Sequence, residues 1–226
     1  MIPLRDNIPS KSFPFVNYCL IALNGYFFFV ELQQGHGARL QTFVDQWAVI
    51  PSQLWLHFGR RFFTLVTAMF LHGGWLHVLS NMLFLYIFGD NVEDTMGHFK
   101  YLVFYFLTGI VANGTQAYLS ATSSLPLIGA SGAIAGVLGS YFFFYPYAKI
   151  VTLIPIFIFF TIREIPAFFF LGFWFVLQTM SGVGSLSTAL VTKQSMGGVA
   201  WWAHAAGFVA GILMSPLFGK RTGKFR

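Results

Sequence analysis

Long stretches without any charged residue dominate the hydrophobic pattern of this chain. A membrane-spanning helix needs about 20 consecutive apolar residues, and the uncharged stretches are long enough to supply six such helices. They are residues 12–30, 62–89, 101–148 (long enough for two spans), 165–192 and 194–219. The longest stretch is divided by the turn-like cluster Thr122-Ser123-Ser124-Leu125-Pro126. The pattern therefore predicts an all-α membrane protein with six transmembrane helices.

Two further apolar segments do not fit as spans. Residues 150–162 are too short and are interrupted by Pro155, so we expect a re-entrant or interfacial segment. Residues 32–61 mix Trp47 and Trp55 with basic residues, a composition typical of segments that lie in the membrane interface. We therefore predict an interfacial loop between spans one and two. No small-x-small cleavage pattern follows the first span, which we expect to be retained.

The composition supports this interpretation. Of the 226 residues, 56% are hydrophobic and only 9% are charged, whereas soluble domains have about 45–50% and 25%. These values argue against a soluble globular protein and against a disordered chain. Cys19 is the single cysteine, so no internal disulfide or multi-cysteine metal site is possible. We predict one membrane domain over residues 1–226, without a metal or other cofactor.

The distribution of Lys and Arg predicts the orientation in the membrane. With the N-terminus placed in the cytoplasm, nine basic residues lie on the inner side and four on the outer side. The positive-inside rule then favours a cytoplasmic N-terminus (1–11) and a cytoplasmic basic tail (220–226). Because the basic residues are spread over many loops, a nucleic-acid partner is not expected.

Three predicted spans carry a polar side chain at a similar depth. At about 1.5 Å per residue, His77 lies roughly 20 Å, Ser131 roughly 27 Å and His204 roughly 24 Å from the inner end of its span. Polar groups inside a membrane are costly and are candidates for function. These three could meet in one cavity that opens to the outer side.

Small residues surround two of these positions. Ser131 is followed by the small-xxx-small pair Gly132/Gly136, and His204 by Gly207/Gly211. Such pairs allow close helix packing, which would bring the hydroxyl and the imidazole within the roughly 3 Å that base catalysis needs. Taken alone, each pair is also compatible with simple helix packing, and a membrane serine commonly bonds its own backbone.

His77 and Asn81 are four residues apart and share one helix face. Both can donate hydrogen bonds to an oxyanion, although bonding between helices is an equally open interpretation. No acidic residue lies near the predicted depth of His204, so a serine hydrolase here would use a Ser–His pair without the acid of the usual triad. No His is followed by Glu, which excludes a zinc site of the HExxH type.

The ordered set of motifs resembles the rhomboid family of intramembrane serine proteases, in its bacterial-type form with a six-span core. The motifs are His72-Gly73-Gly74-Trp75-Leu76-His77-Val78-Leu79-Ser80-Asn81-Met82, Gly89-Asp90-Asn91-Val92-Glu93, Gly129-Ala130-Ser131-Gly132 and Ala203-His204-Ala205-Ala206-Gly207. The resemblance implies a rhomboid-like bundle with Ser131 as nucleophile and His204 as general base. It also implies an oxyanion hole of His77, Asn81 and the Ser131 backbone N–H, with Gly129 and Gly132 shaping the site backbone. Glu93 matches a structural glutamate.

Two positions depart from the family pattern. Phe63-Thr64 stands where Trp-Arg is frequent in the outer loop, and Ala135 replaces an aromatic residue that commonly stacks on the histidine. We therefore expect another group, such as Trp201 or Trp202, to orient His204.

The resemblance implies an enzyme that cleaves single-span membrane proteins near the outer face, with lateral substrate entry past span five. The expected partners are transmembrane-helix substrates and membrane lipid, and the expected location is a bacterial cytoplasmic membrane. Two alternatives stay open. One is a catalytically inactive rhomboid-like binding or quality-control protein, and the other is a small transporter. The oligomeric state is not predicted.

Overall fold

The computed structural model describes residues 1–156, 159–192 and 200–220, with side chains placed except at 156 and 186–192. Six helices of 14 or more residues form the body of this described part. They are α1 (Phe15–Leu32), α6 (Trp75–Met96), α7 (His98–Leu119), α8 (Ser131–Phe144), α9 (Ala167–Thr192) and α10 (Trp201–Phe218). Four short helices lie between α1 and α6: α2 (Ala38–Trp47), α3 (Pro51–Leu56), α4 (Phe58–Arg61) and α5 (Thr64–Thr67). Part of the predicted tail, residues 221–226, lies outside the description.

Within the described residues, the predicted spans correspond to helices, but six full crossings are not confirmed. Four helices (α1, α7, α10 and the 167–185 part of α9) are long and apolar enough to cross a membrane. Helix α6 makes a fifth when it is combined with residues 64–70, from which it is bent by 98°. Helix α8 has 14 residues, about 21 Å, which is shorter than the roughly 30 Å hydrocarbon core.

The predicted second span, 62–89, was wrong in both bounds. The chain turns sharply before Trp75, and α6 then continues past Asp90 and Glu93 to Met96. The helix tolerates these acids because the N-terminal segment satisfies them. The backbone N–H groups of Val16 and Asn17 donate to the Glu93 carboxylate at 3.0 and 2.7 Å, and Ser10 donates to Asp90 at 2.6 Å. This contact fixes the start of α1 against the end of α6.

A three-stranded antiparallel sheet corrects the all-α prediction. Strand β1 (Ile2–Asp6) pairs with β2 (Lys149–Ile156), which pairs with β3 (Phe159–Pro166). Of the apolar segment 150–162, predicted as re-entrant or interfacial, residues 150–156 and 159–162 therefore lie in the β-hairpin that β2 and β3 form between α8 and α9. Its Ile, Val, Thr and Phe residues favour strands over helices. Whether the hairpin touches the membrane interface stays a prediction.

Helices α8 and α10 cross at glycines without space for a side chain. A Cβ at Gly207 would overlap the carbonyl oxygen of Gly132, and a Cβ at Gly211 would overlap that of Gly136. The two predicted small-xxx-small pairs thus face each other, and close packing follows from them. This contact sets the distance between Ser131 at the start of α8 and His204 in the first turn of α10.

The segment between α1 and α6 is anchored without the usual Trp-Arg pair. The Arg61 guanidinium donates to the carbonyl oxygen of Asp45 at 2.7 Å, and Trp47 packs edge-on against Phe63. Val49 and Leu127 exchange backbone hydrogen bonds of 3.2 and 2.8 Å, which tie this segment to the loop that leads to Ser131.

Candidate active site

Ser131 is the first residue of α8 and follows a strained turn. Gly129 has a φ of +126°, a conformation that residues with a side chain rarely adopt, and its N–H donates to the carbonyl of Ala68 at 2.9 Å. The N–H groups in the first turn of a helix have no partner within the helix and form the positive end of its dipole. Ser131 therefore lies where negative charge on an attacked carbonyl would be stabilised.

His204 reaches Ser131 from α10. The distance between His204 Nε2 and Ser131 Oγ is 2.7 Å, a good hydrogen bond between residues 73 positions apart. The imidazole is buried, with 9% of the residue exposed. The structure thus brings together the hydroxyl and the imidazole that the sequence placed at a similar depth.

The other ring nitrogen of His204 contacts a residue that the sequence analysis missed. Gln178 Oε1 on α9 lies 2.7 Å from His204 Nδ1. The signal was present in the sequence, since Gln178 is an amide in the uncharged 165–192 stretch, and intramembrane polar groups are candidates for function. The usual partner of a catalytic histidine is an acid, and a neutral amide does not match that pattern.

Aromatic rings also surround the imidazole. Trp174 lies 6.0 Å from His204 between ring centroids with an interplanar angle of 33°, and Trp201 approaches edge-on at 6.3 Å. Trp201 therefore contacts the imidazole, as expected, whereas Trp202 packs against Gly182 of α9. The hydrogen-bond partner of His204 Nδ1 is Gln178 Oε1 and neither of the predicted tryptophans.

His77 and Asn81 of α6 line the same cavity as Ser131. The Gly73 N–H donates to His77 Nδ1 at 3.3 Å, so the proton of the neutral imidazole lies on Nε2. That nitrogen faces Gly129, where an added Cβ would lie 2.7 Å from it. Asn81 is 8% exposed, and within the described structure its amide nitrogen has no hydrogen-bond partner. Both residues can donate to an additional oxygen atom.

Two adjoining cavities meet at these residues. One has a volume of about 850 Å³ and includes His77, Ile128 and Ala200 in its lining, and the other has about 190 Å³ and includes Trp174 and Gln178. Four residues border both cavities: Ser80, Asn81, Ser131 and His204. A peptide segment in the larger cavity would therefore present a carbonyl to Ser131 and a neighbouring side chain to the smaller one.

The turn before α6 is fixed by helix α1. The Glu31 carboxylate accepts a hydrogen bond from the His72 N–H at 2.9 Å, and the buried His72 ring packs edge-on against His77 with centroids 5.0 Å apart. His72 thus holds the turn that carries His77.

Most of the chain matches the model of one protein family. Residues 59–221 match the model of the rhomboid domain, which is more than half of the chain. The chain belongs to the rhomboid family. This match includes all the site residues described above, from His77 to His204.

Several curated proteins are similar over part of their length. "Rhomboid-like protein 11, chloroplastic" of Arabidopsis thaliana is 35% identical over 114 residues, 50% of this chain and 40% of that protein. "Putative rhomboid protease YdcA" of Bacillus subtilis is 36% identical over 80 residues, 35% of this chain and 39% of that protein. "Rhomboid protein 1, mitochondrial" of Saccharomyces cerevisiae is 26% identical over 167 residues, 72% and 44% respectively. The chain therefore aligns with less than half the length of each.

Membership of the rhomboid family indicates the general type of protein. Rhomboid proteins are usually intramembrane serine proteases, although some members are inactive. The family and the apolar helices establish a multi-pass integral membrane protein. The relatives are named for chloroplasts and mitochondria as well as found in a bacterium, so a bacterial cytoplasmic membrane is not shown.

Proposed function

We propose that this rhomboid protein is an intramembrane serine endopeptidase with a Ser131–His204 dyad. The observation that carries the proposal is the 2.7 Å contact between Ser131 Oγ and His204 Nε2 at the junction of two cavities. The donors of His77 and Asn81 in the larger cavity add the second requirement of acyl transfer, stabilisation of an oxyanion.

The first step is acylation of Ser131. His204 Nε2 takes the hydroxyl proton while Oγ attacks the scissile carbonyl carbon, which gives a tetrahedral intermediate with negative charge on the former carbonyl oxygen. His77 Nε2–H, the Asn81 amide and the Ser131 backbone N–H donate hydrogen bonds to that oxygen. His204 then gives its proton to the leaving amine, and the C–N bond breaks.

Deacylation repeats these steps with water. His204 takes a proton from a water molecule that attacks the acyl-enzyme, the same donors stabilise the second oxyanion, and the proton returns to Ser131 Oγ. Gly129 and Gly132 keep the backbone around Ser131 free of side chains, because an added Cβ would meet His77 or Ala112 at 2.7 Å.

The substrates we propose are single-span membrane proteins cleaved near the outer face. An α-helix hides its carbonyl groups in hydrogen bonds, so the substrate must unwind locally to reach Ser131. Small or helix-weakening residues at the cleaved bond would make this unwinding easier. We place the protein in a bacterial cytoplasmic membrane with both termini in the cytoplasm, and substrates would enter laterally past α9.

The test uses purified protein in lipid vesicles with a model single-span substrate. Ser131→Ala and His204→Ala are expected to lower cleavage to background. Ser140→Ala is the matched control, because Ser140 lies on the same helix and its buried hydroxyl has no hydrogen-bond partner among the described residues. Full cleavage by either site variant would overturn the dyad. Binding of substrate without cleavage by the wild type would instead favour an inactive rhomboid-like binding protein.

Lateral entry past α9 has a separate test. Cross-linking α6 to α9 is expected to block cleavage of the membrane substrate. Unchanged cleavage after cross-linking would disprove this route, while leaving the dyad intact.

A further inference from the structure

The hydrogen bond between His204 Nδ1 and Gln178 determines whether His204 Nε2 can accept the proton of Ser131. Gln178 Oε1 lies 2.7 Å from His204 Nδ1, and a carbonyl oxygen can only accept a hydrogen bond. The imidazole proton therefore lies on Nδ1. Nε2 is then unprotonated and accepts the Ser131 hydroxyl, which is the tautomer that a general base needs.

We propose that Gln178 is a positioning residue that holds His204 in this tautomer and ring orientation, as a neutral third member beside the dyad. The inference rests on the proposed serine-protease function and deepens it. In a Ser–His–Asp triad a carboxylate does this work and also stabilises the imidazolium by its charge. An amide supplies the geometry alone, which suits a site without an acid near His204.

The surroundings of His204 show why such a residue is needed. Ala135, which replaces the usual stacking aromatic residue, gives no ring for the imidazole to stack on. Trp174 and Trp201 limit the tilt of the imidazole through ring contacts. These ring contacts do not select a tautomer, because they make no hydrogen bond to Nδ1. In the part of the chain with placed side chains, Gln178 supplies that bond.

The position of Gln178 within α9 supports a functional role. Its helical neighbours Phe173, Leu177 and Met180 are exposed to the outside of the bundle by 50%, 46% and 68%, as expected for a lipid-facing helix. An amide in such a helix is unfavourable unless it has a partner. Gln178 also lies one helical turn after Trp174, so both contact His204 from the same face of α9.

The experiment compares four purified proteins in vesicles: wild type, Gln178→Leu, Gln178→Glu and Thr179→Val. Thr179 is the control, because it is the adjacent polar residue of α9 and its hydroxyl donates to the Phe175 carbonyl of its own helix at 3.0 Å. For each protein we measure kcat and KM for the model substrate, a pH profile of kcat, the labelling rate of Ser131 by a fluorophosphonate, and the midpoint of thermal unfolding.

Gln178→Leu is expected to lower kcat and the labelling rate by roughly 10- to 100-fold, because the imidazole loses its fixed tautomer. KM is expected to change less than kcat, because Gln178 only borders the smaller cavity whereas its hydrogen bond acts on His204. Gln178→Glu keeps an oxygen acceptor and adds negative charge. It should retain most activity and move the acidic limb of the pH profile to higher pH. Thr179→Val should match the wild type in every readout.

The outcomes separate this inference from the proposed function. A wild type that neither cleaves nor labels at Ser131 contradicts the function itself. An active wild type with an equally active Gln178→Leu variant, or with an unshifted pH limb in Gln178→Glu, overturns the positioning role and leaves the dyad intact. If Gln178→Leu does not fold, the pH limb of the similarly sized Gln178→Glu variant decides.

Discussion

Two histidines of the candidate site have opposite tautomers, and each is determined by a neighbour outside the reacting atoms. His77 accepts at Nδ1 from the Gly73 N–H and therefore presents a proton at Nε2. His204 donates at Nδ1 to Gln178 and therefore presents a lone pair at Nε2. One imidazole is thus prepared to stabilise an oxyanion and the other to remove a proton. In the proposed mechanism, the same side-chain type serves both tasks because its second ring nitrogen is hydrogen-bonded differently.

Removing one oxyanion donor tests the first of these tasks. His77→Ala and Asn81→Ala are each expected to lower kcat by roughly 10²-fold or more, with a smaller change in KM, because the hydrogen bond strengthens as charge develops. Steady-state kinetics on the model substrate give both parameters. Leu79→Ala, a change at a 59%-exposed position of the same helix, is the control. Equal kcat in all three variants would contradict the oxyanion role.

Gly129 is the residue at which a single methyl group should matter most. Gly129→Ala forces a side chain into a φ of +126° and places Cβ 2.7 Å from His77 Nε2, so the turn and the ring must both move. We expect kcat to fall by at least about tenfold, together with a loss of stability of about 1–3 kcal/mol. Gly25→Ala in α1 is the control, since no atom lies within 4 Å of its new Cβ. A wild-type rate in Gly129→Ala would show that the turn is not constrained.

At the scale of helices and strands, the sequence predicted the long helices, because they depend on the hydrophobicity of a single continuous segment. Gaps between charges located the long helices because hydrophobic length is a property of each segment. The end of α6 was missed because Asp90 and Glu93 interrupt the apolar pattern. Their hydrogen-bond partners lie about 80 residues earlier in the chain, a tertiary compensation that no sequence window contains. The sheet was missed for a similar reason, because β1 at the N-terminus pairs with β2, which lies between α8 and α9.

The contact between α8 and α10 can be tested at its glycines. Gly207→Ala or Gly211→Ala places a methyl group against a backbone carbonyl of α8, which cannot rotate away as a side chain can. We expect each change to destabilise the protein by about 1–3 kcal/mol or more and to reduce cleavage by separating Ser131 from His204. Thermal unfolding in detergent measures the first effect. Gly114→Ala in α7, with open space around its Cβ, should keep the wild-type midpoint.

For the whole molecule, one end of the helix bundle holds the candidate site and the opposite end holds a network built around the N-terminal segment. Tyr141 of α8 donates a hydrogen bond of 2.5 Å to Asp6 of β1, and Lys149 N–H donates to Asn7 at 2.8 Å. The sheet therefore connects the N-terminal segment to the helix that carries Ser131. Sequence analysis predicted His77, Ser131 and His204 as site residues from their similar depth. It did not predict this connection, because none of the residues that form it stands out in the sequence.

Asp6 makes the stability of the folded protein depend on pH. Burial raises the pKa of its carboxyl from 3.8 to about 6, and the nearby Asp90 adds to the increase while the Tyr141 hydrogen bond opposes it. Because the pKa is higher in the folded state, the folded protein binds the proton more tightly. The resulting stabilisation is complete below about pH 3.8 and is lost as the pH rises through 6.

Asp6→Asn should remove most of this dependence. The variant cannot ionise, so its unfolding midpoint should change less between pH 5 and 7.5 than that of the wild type, and the variant should gain stability relative to the wild type as the pH rises. Arg5 and Asp90, which line the same recess, remain unchanged in both proteins. Thermal unfolding at pH 5, 6 and 7.5 gives the comparison. Parallel curves for the two proteins would assign the pH dependence to another group.

The 73 positions that separate Ser131 and His204 along the sequence have a consequence for biogenesis. A chain is made from its N-terminus, so α8 enters the membrane before α9 and α10 exist. His204 is synthesised 73 residues after Ser131 and 26 residues after Gln178, the two residues that its ring nitrogens contact. A partly synthesised chain has a hydroxyl but no partner to deprotonate it. The proposed protease is therefore harmless to neighbouring membrane proteins during its own insertion and becomes reactive only when α10 packs against α8.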